Sequence, residues 1–276
     1  TGVELAGALA ELRTHVLPKD YPDLDLRRMQ ISVIEAGSEL LGTMSSQASD
    51  NARNYLKQLD INVYTDTMVT DYDGLNIATS NKPMRAKTMI WAAGVQGNIP
   101  VGLDKEQIDH GRIKVDGFGF VEGSSTILAI GDVAQMFDEA TQTDLPMLAS
   151  VAQQQGSYLA RALVKRIRSQ SVSPFQYADK GTMATIGRNK AVVDLGKFEF
   201  GGFLAWITWL FVHLMLLIDF RNRMIVLTNW VWSYINFDRG TRLIVRKYPD
   251  TEKPKDAKNM KDQASTRLKE LEEILA

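Results

Sequence analysis

From Phe203 to Ile218 the chain reads FLAWITWLFVHLMLLI, with no acidic residue, lysine or arginine and an apolar residue on every face a helix could present. A helix of this kind cannot stand in water, so it must be buried in protein or in lipid. At about 16 residues it falls short of the roughly 20 needed to span a bilayer. A polar break at Asp219–Arg223 leads to a shorter apolar block, Met224 to Phe237, rich in Trp230, Trp232, Tyr234 and Phe237. Such aromatics favour the headgroup boundary, and Arg239, Arg242, Arg246 and Lys247, which follow, suit anionic lipid. Attachment to one face of a membrane accounts for length, aromatics and basic flank together. A transmembrane hairpin and a buried core or dimer helix are the alternatives.

The rest of the chain has a globular composition, 45% hydrophobic and 24% charged over 276 residues, enough for two modest domains. A net charge of -1 gives no overall pull toward nucleic acid, and none is expected as a partner. There is no cysteine, which excludes disulfides, thiolate metal sites and a thiol nucleophile within these residues. A redox role would therefore rest on a bound cofactor. His15, His110 and His213 lack metal-ligand spacing, and no metal site is assigned.

Periodicity organises the first part as β-α-β: an opening helix from Gly2, a strand at Ile31–Glu35, a helix over Ser45 to Leu59 and a strand at Ile61–Tyr64. A turn at Tyr72–Gly74 precedes a strand at Leu75–Ala78, and Thr88–Ala93 is predicted as an apolar strand stopped by Gly94. Strands are expected at Ile113–Asp116, Phe118–Val121 and, buried, Thr126–Ile130, then a long helix from Met147 to Ile167. Ser169–Pro174 punctuates the chain before a strand pair around Thr182 to Leu195, and a charged tail, with a helix expected from about Asp262, closes it.

Thr1–Gly2 followed by Gly7 at a helix start fits the end of a Rossmann dinucleotide loop, in which glycines admit the pyrophosphate and pack helix on sheet. The remaining glycines of such a loop are expected before residue 1. A small-residue helix packed on a sheet explains these residues equally well. Glu35, ending the second strand, can accept the ribose hydroxyls of NAD and disfavour the 2'-phosphate of NADP. Its distance from Gly2 exceeds the usual interval of about 20 residues, and His15 to Asp25 is read as the loop that absorbs the excess. A solvated strand end is the plainer reading of Glu35.

Ser125–Ala134 is an apolar strand ending in Gly131-Asp132 at a helix start. The glycine would let a flavin diphosphate approach the backbone, and the aspartate would accept from a ribityl hydroxyl. This segment resembles the second flavin signature of two-dinucleotide-domain flavoprotein reductases, and Trp91–Gly94 resembles their crossover strand between NADH and FAD domains. Within that superfamily the chain is similar to type II NADH dehydrogenases, the non-proton-pumping NADH:quinone oxidoreductases, over all but the charged tail.

The resemblance implies an α/β fold of two Rossmann-like dinucleotide-binding domains with a C-terminal membrane-anchoring α+β region, and FAD and NAD(H) as cofactors. It places Glu4 near the contact of nicotinamide and flavin, as a group handling charge or protons; alone, Glu4 is a first-turn helix acid. It places Gly94, Gly131, Asp132 and Ala149 at the cofactors. The family's quinone-side signature, Ala-Gln-x-Ala-x-Gln, corresponds to Ala149–Gln154, where Ser150 replaces the first glutamine and Gln154 matches the second. Lys180 corresponds to a lysine at the flavin edge, where a cation favours the anionic reduced flavin and orients a quinone carbonyl; alone it is a surface lysine.

These readings divide the chain into an NADH-binding domain (1–93), the C-terminal half of a FAD-binding domain (94–172), a membrane-anchoring and quinone-access region (173–247) and a tail (248–276). The expected activity is electron transfer from NADH to a membrane quinone, by a peripheral protein on the cytoplasmic face of the cell membrane. Because the first flavin loop is not among these residues, the chain by itself is expected to bind FAD poorly and to be inactive. Homodimerisation is left open. The rivals are another quinone-linked or pyridine-nucleotide flavoprotein reductase, such as a sulfide:quinone reductase with its cysteines, and a non-catalytic membrane scaffold.

Overall fold

The computed structural model describes residues 1–236; Phe237, the four basic residues after it and the helix expected from Asp262 lie outside the described residues. Helix α1 (Gly2–Glu11) runs through a π-helical turn (Leu12–Val16) into α2 (Leu17–Asp20). The loop expected from His15 is thus helical to Asp20. Pro18 permits this because it stands in the first turn of α2, where a missing N–H costs nothing. Only Tyr21 to Asp25 remains as connection before a short 3-10 turn.

Strand β1 (Ile31–Ile34) pairs in parallel with β2 (Ile61–Tyr64), with α3 (Ser46–Gln58) as the crossover between them. The Ser45 side chain caps α3 by accepting from Ala48 N, and the helix buries Ala48, Ala52 and Leu56, four residues apart, on one face. A three-stranded antiparallel sheet follows: β3 (Val69–Tyr72), β4 (Asn76–Thr79) and β5 (Met84–Arg85). Next come β6 (Ile108–Asp109), β7 (Arg112–Val115), β8 (Ala134–Asp138) and β9 (Thr143–Asp144), in which β7 and β8 are parallel.

The two apolar strands expected at Thr88–Ala93 and Thr126–Ile130 form no ladder. The first pairs with no described strand and leaves Ile90 53% and Trp91 63% exposed; the second makes one bridge, Phe120 to Leu128. Apolar sequence says which side chains seek burial, but a strand exists only where a neighbour completes its hydrogen bonds.

Helix α4 (Ala149–Ile167) packs Val151 into a core shared with β7, β8 and Val121. Near its C-terminus Arg166 lies over the rings of Phe118 and Phe120, 5.6 and 4.6 Å from their centroids. A three-stranded antiparallel sheet, β10 (Thr182–Thr185), β11 (Ala191–Asp194) and β12 (Glu199–Gly202), then leads into α5 (Phe203–Leu216) and α6 (Phe220–Asn236). Asp219 breaks the helix pair with φ 74, and Arg223 donates to the carbonyls of Leu217 and Met215 at the end of α5.

The C-terminal sheet shares a core with the first β-α-β unit: Ala184, Ile186 and Val192 join Val3, Ala6, Ala10, Leu56 and both parallel strands. Gly7 makes this possible. A Cβ there would stand 2.7 Å from the Ile186 backbone, so α1 meets the β10–β11 turn only with glycine at this place. On the other side Asp194 accepts from Ser45 N at 2.8 Å and Gly196 N at 2.9 Å, tying the start of α3 to the end of β11.

The N–H groups of Gly196 and Ser45 hold the Asp194 carboxyl below the usual carboxylate range. A depressed folded-state pKa contributes stability that is fully present above about pH 4 and is lost as pH falls through the folded value. Asp194→Asn is therefore expected to lower stability at pH 7 by about 1 kcal/mol. In denaturant titrations the gap to the unaltered protein should hold constant down to about pH 4 and close below it; a gap independent of pH would show that the carboxylate charge does not act.

Candidate functional site

The Gly131-Asp132 turn lies over the first turns of α4. Gly131 has φ 75 and faces α4 closely enough that a Cβ would stand 3.5 Å from the Ala152 Cβ. Its N–H donates to Gln155 Oε1 at 2.7 Å, and Gln155 is 1% exposed. The Gln155 amide nitrogen lies 3.8 Å from Met136 Sδ, a weak acceptor. A glutamine run that reads as an exposed face therefore splits three ways: Gln153 is exposed, Gln154 half-buried and Gln155 in the core. The position of Gln155 four residues after buried Val151 was the available signal.

Asp132 is exposed, and its carboxylate meets no hydrogen-bond or ion-pair partner among the described residues. No side chain caps the N-terminus of α4, and Ala149 at its first position is exposed. A positive-φ glycine turn, an unengaged carboxylate and an uncapped helix start together fit the diphosphate and ribityl part of a flavin.

Ser150 and Gln154 project from the same helix start toward residues 173–180, an extended strap that follows α4. The Ser150 hydroxyl lies 2.9 Å from the Tyr177 hydroxyl. Gln154 clamps Ala178 from both sides, donating to its carbonyl and accepting from its N–H, each at 3.0 Å. Tyr158 Oη donates to Ser173 O at 2.8 Å, and burial raises the Tyr158 pKa. Between helix and strap lies a groove of about 310 Å³ whose lining includes Gln153, Gln154, Arg161 and Lys180. The groove brings together Gln154 and Lys180, two residues singled out from sequence. Tyr177 was not singled out, and only its place three residues before Lys180 marked it.

A second group stands at the start of α1. Gly2 is close enough to Ala92 that a Cβ would be 3.6 Å from the Ala92 Cβ. Glu4 accepts from Thr185 N at 3.4 Å, which turns it toward β10. Glu35, half-buried just past β1, accepts from Gly37 N at 2.9 Å through one oxygen. Gly7 makes its close approach to Ile186, in the C-terminal sheet. Gly94 stands apart in an exposed turn at φ 95, where a Cβ would meet nothing within 4 Å.

The family model for pyridine nucleotide-disulphide oxidoreductases matches residues 1–156, more than half of the sequence. The chain therefore belongs to that family. The model of the NDH2 C-terminal domain matches residues 180–239. A Mycobacterium tuberculosis protein named type II NADH:quinone oxidoreductase NdhA is 32% identical over 88% of this chain and 54% of its own length. A second protein of that organism, type II NADH:quinone oxidoreductase Ndh, is 29% identical over 100% of this chain and 58% of its own length. An Arabidopsis thaliana relative, named internal alternative NAD(P)H-ubiquinone oxidoreductase A1, is 30% identical over 85% of this chain and 49% of its own length. A solved structure of NDH2 from Plasmodium falciparum in complex with NADH superposes with a TM-score of 0.75 at 20% identity, over 84% of this chain and 63% of that one. The chain is thus similar to type II NADH dehydrogenases from end to end of the described residues, and it spans a little over half the length of the M. tuberculosis relatives.

Proposed function

We propose that this chain forms the nicotinamide-facing and quinone-facing part of a flavin-dependent NADH:quinone oxidoreductase that works at a membrane surface without pumping protons. The observation that carries the reading is the meeting of the Gly131-Asp132 turn, the uncapped start of α4 and the groove of Gln154 and Lys180 within one structural corner. The names of the M. tuberculosis and A. thaliana relatives supply quinone as acceptor, and the P. falciparum complex supplies NADH as donor.

A bound FAD would supply two-electron chemistry between hydride donor and quinone. The chain's own residues bind and orient. Gly2 at the start of α1 admits the NADH pyrophosphate, Gly7 lets that helix pack on the backbone at Ile186 rather than on the nucleotide, Glu35 takes the adenosine ribose hydroxyls with the carboxylate oxygen that Gly37 leaves free, and Glu4 stands at the nicotinamide end. Gly94, Gly131, Asp132 and Ala149 serve the flavin, Lys180 sits at its edge, and Ser150 and Gln154 belong to the quinone side. The division into 1–93, 94–172 and 173–247 follows this assignment. The two larger cores support it in part: one holds the first β-α-β unit together with the C-terminal sheet, the other holds β7, β8 and α4.

Among the described residues no helix is long and apolar enough to cross a membrane. Yet Leu204, Phe211, Leu216 and Phe220 are 59 to 71% exposed along α5 and α6. A surface of this kind suits a monotopic protein, with lipid as the covering and quinone delivered from it, and the availability of NADH favours the cytoplasmic face.

Two experiments on the full-length protein test these roles. Glu35→Gln is expected to narrow the preference for NADH over NADPH about ten-fold, by removing an acceptor for the ribose and a repulsion of the 2'-phosphate; an unmoved ratio would show that Glu35 does not read the ribose. In flotation with vesicles containing anionic lipid, the protein should rise with the vesicles and Leu204→Glu/Phe211→Glu should stay behind. Equal flotation of both would refute the lipid-facing role of α5.

A further inference from the structure

Glutamine is a costly residue for the inner face of a helix. Gln155 of α4 is 1% exposed, and its amide nitrogen has only the sulfur of Met136, 3.8 Å away, to receive its hydrogens. What the side chain gains is on its oxygen, which accepts from Gly131 N at 2.7 Å. Ala152, Gln155 and Gly156 lie at helical spacing on one face of α4, and that face meets the Ile130-Gly131 backbone. A Cβ on Gly131 would stand 3.5 Å from the Ala152 Cβ, and one on Gly156 4.0 Å from Ile130 Cδ1.

The bond is placed where little else holds the chain. The segment that enters the turn, Thr126–Ile130, makes a single bridge, Phe120 to Leu128, and its last backbone bond before the turn runs from Ala129 N to Gly119 O. Beyond the turn the chain is held independently. Ala134 starts β8, which pairs with β7, and Arg112 of β7 donates both to Ala134 O and to Leu145 O, which fixes the exit of the turn and the approach to α4. Removing the acceptor on Gln155 therefore frees Gly131 and Asp132 while sheet and helix keep their places.

We propose that Gln155 is a positioning residue for the flavin: it holds the Gly131-Asp132 turn fixed before the cofactor arrives, so that the Asp132 carboxylate and the start of α4 are offered in a constant relation. This rests on the flavin reading above. Gln155 acts through the turn, because at 1% exposure it offers no surface to a ligand. Without its bond the turn has to be ordered at the moment of binding, and affinity falls by the cost of fixing about one residue of backbone, about ten-fold.

The test uses the full-length flavoprotein stripped of FAD, titrated with FAD and followed by flavin fluorescence. Gln155→Met keeps the length of the side chain and removes the acceptor, whereas Gln155→Glu keeps an oxygen in the same place. The Kd for FAD is expected to rise about ten-fold in the first and to stay within about two-fold of its starting value in the second. Hydrogen exchange of the unaltered apoprotein gives a second reading that needs no variant: the Gly131 amide should exchange slowly before FAD is added. A side chain that only satisfies a buried N–H would lower the melting temperatures of apoprotein and holoprotein alike and leave the Kd unmoved. That outcome, a Gln155→Glu variant as weak as Gln155→Met, or a Gly131 amide that exchanges freely until FAD binds overturns the proposal. If the unaltered apoprotein takes up no FAD at all, the flavin reading fails first and the Gln155 assignment with it.

Discussion

A buried carboxamide with few available partners organises the central part of this molecule. Gln155 sits on the inner face of α4, 1% exposed, where an unpaired amide oxygen would cost about 1 to 3 kcal/mol. Its partner is the N–H of Gly131. The bond fixes the glycine turn against the helix start, so that the exposed Asp132 and the uncapped end of α4 hold a constant relation. From the same helix, Gln154 and Ser150 fasten the strap that bears Tyr177 and leads to Lys180. Turn, helix and strap are thus referenced to the side-chain contacts of three residues on one rigid element.

The second constraint is steric. Because Gly7 lacks a Cβ, α1 lies directly on the backbone at Ile186, and the first β-α-β unit and the C-terminal sheet become one core. That contact turns Glu4 toward Thr185. It also joins α1 to the sheet from which α5 emerges, since Ala205 of α5 is buried with Ala191 and Val193 of β11. The exposed apolar surface of α5 and the start of α1 are accordingly carried by one packed unit, an arrangement that suits the proposed transfer from a soluble donor to a lipid-dissolved acceptor.

Much of this was legible in sequence because it rests on local rules. The apolar period of α3, the all-round apolarity of α5 and the glycine turn ending in Asp132 each declare themselves within about a dozen residues. What escaped depends on partners distant in the chain. Thr88–Ala93 has strand composition but no described neighbour to pair with, so composition and hydrogen bonding part company there. His15 to Asp20 looks like loop, yet Pro18 falls where a helix tolerates it. Tyr177 gave no period to follow, and its contact became visible only when Ser150 was found 27 residues earlier, within hydrogen-bond distance.

The central claim is that these residues serve electron transfer from NADH to a quinone reached from a membrane. The most direct measurement is steady-state NADH oxidation by the purified, flavin-loaded full-length protein on vesicles, with and without quinone in the bilayer. The account predicts oxidation that depends on quinone and is much slower with NADPH. A flavin-loaded protein that leaves NADH unoxidised in the presence of quinone would contradict it and favour a membrane-bound scaffold or a different electron donor.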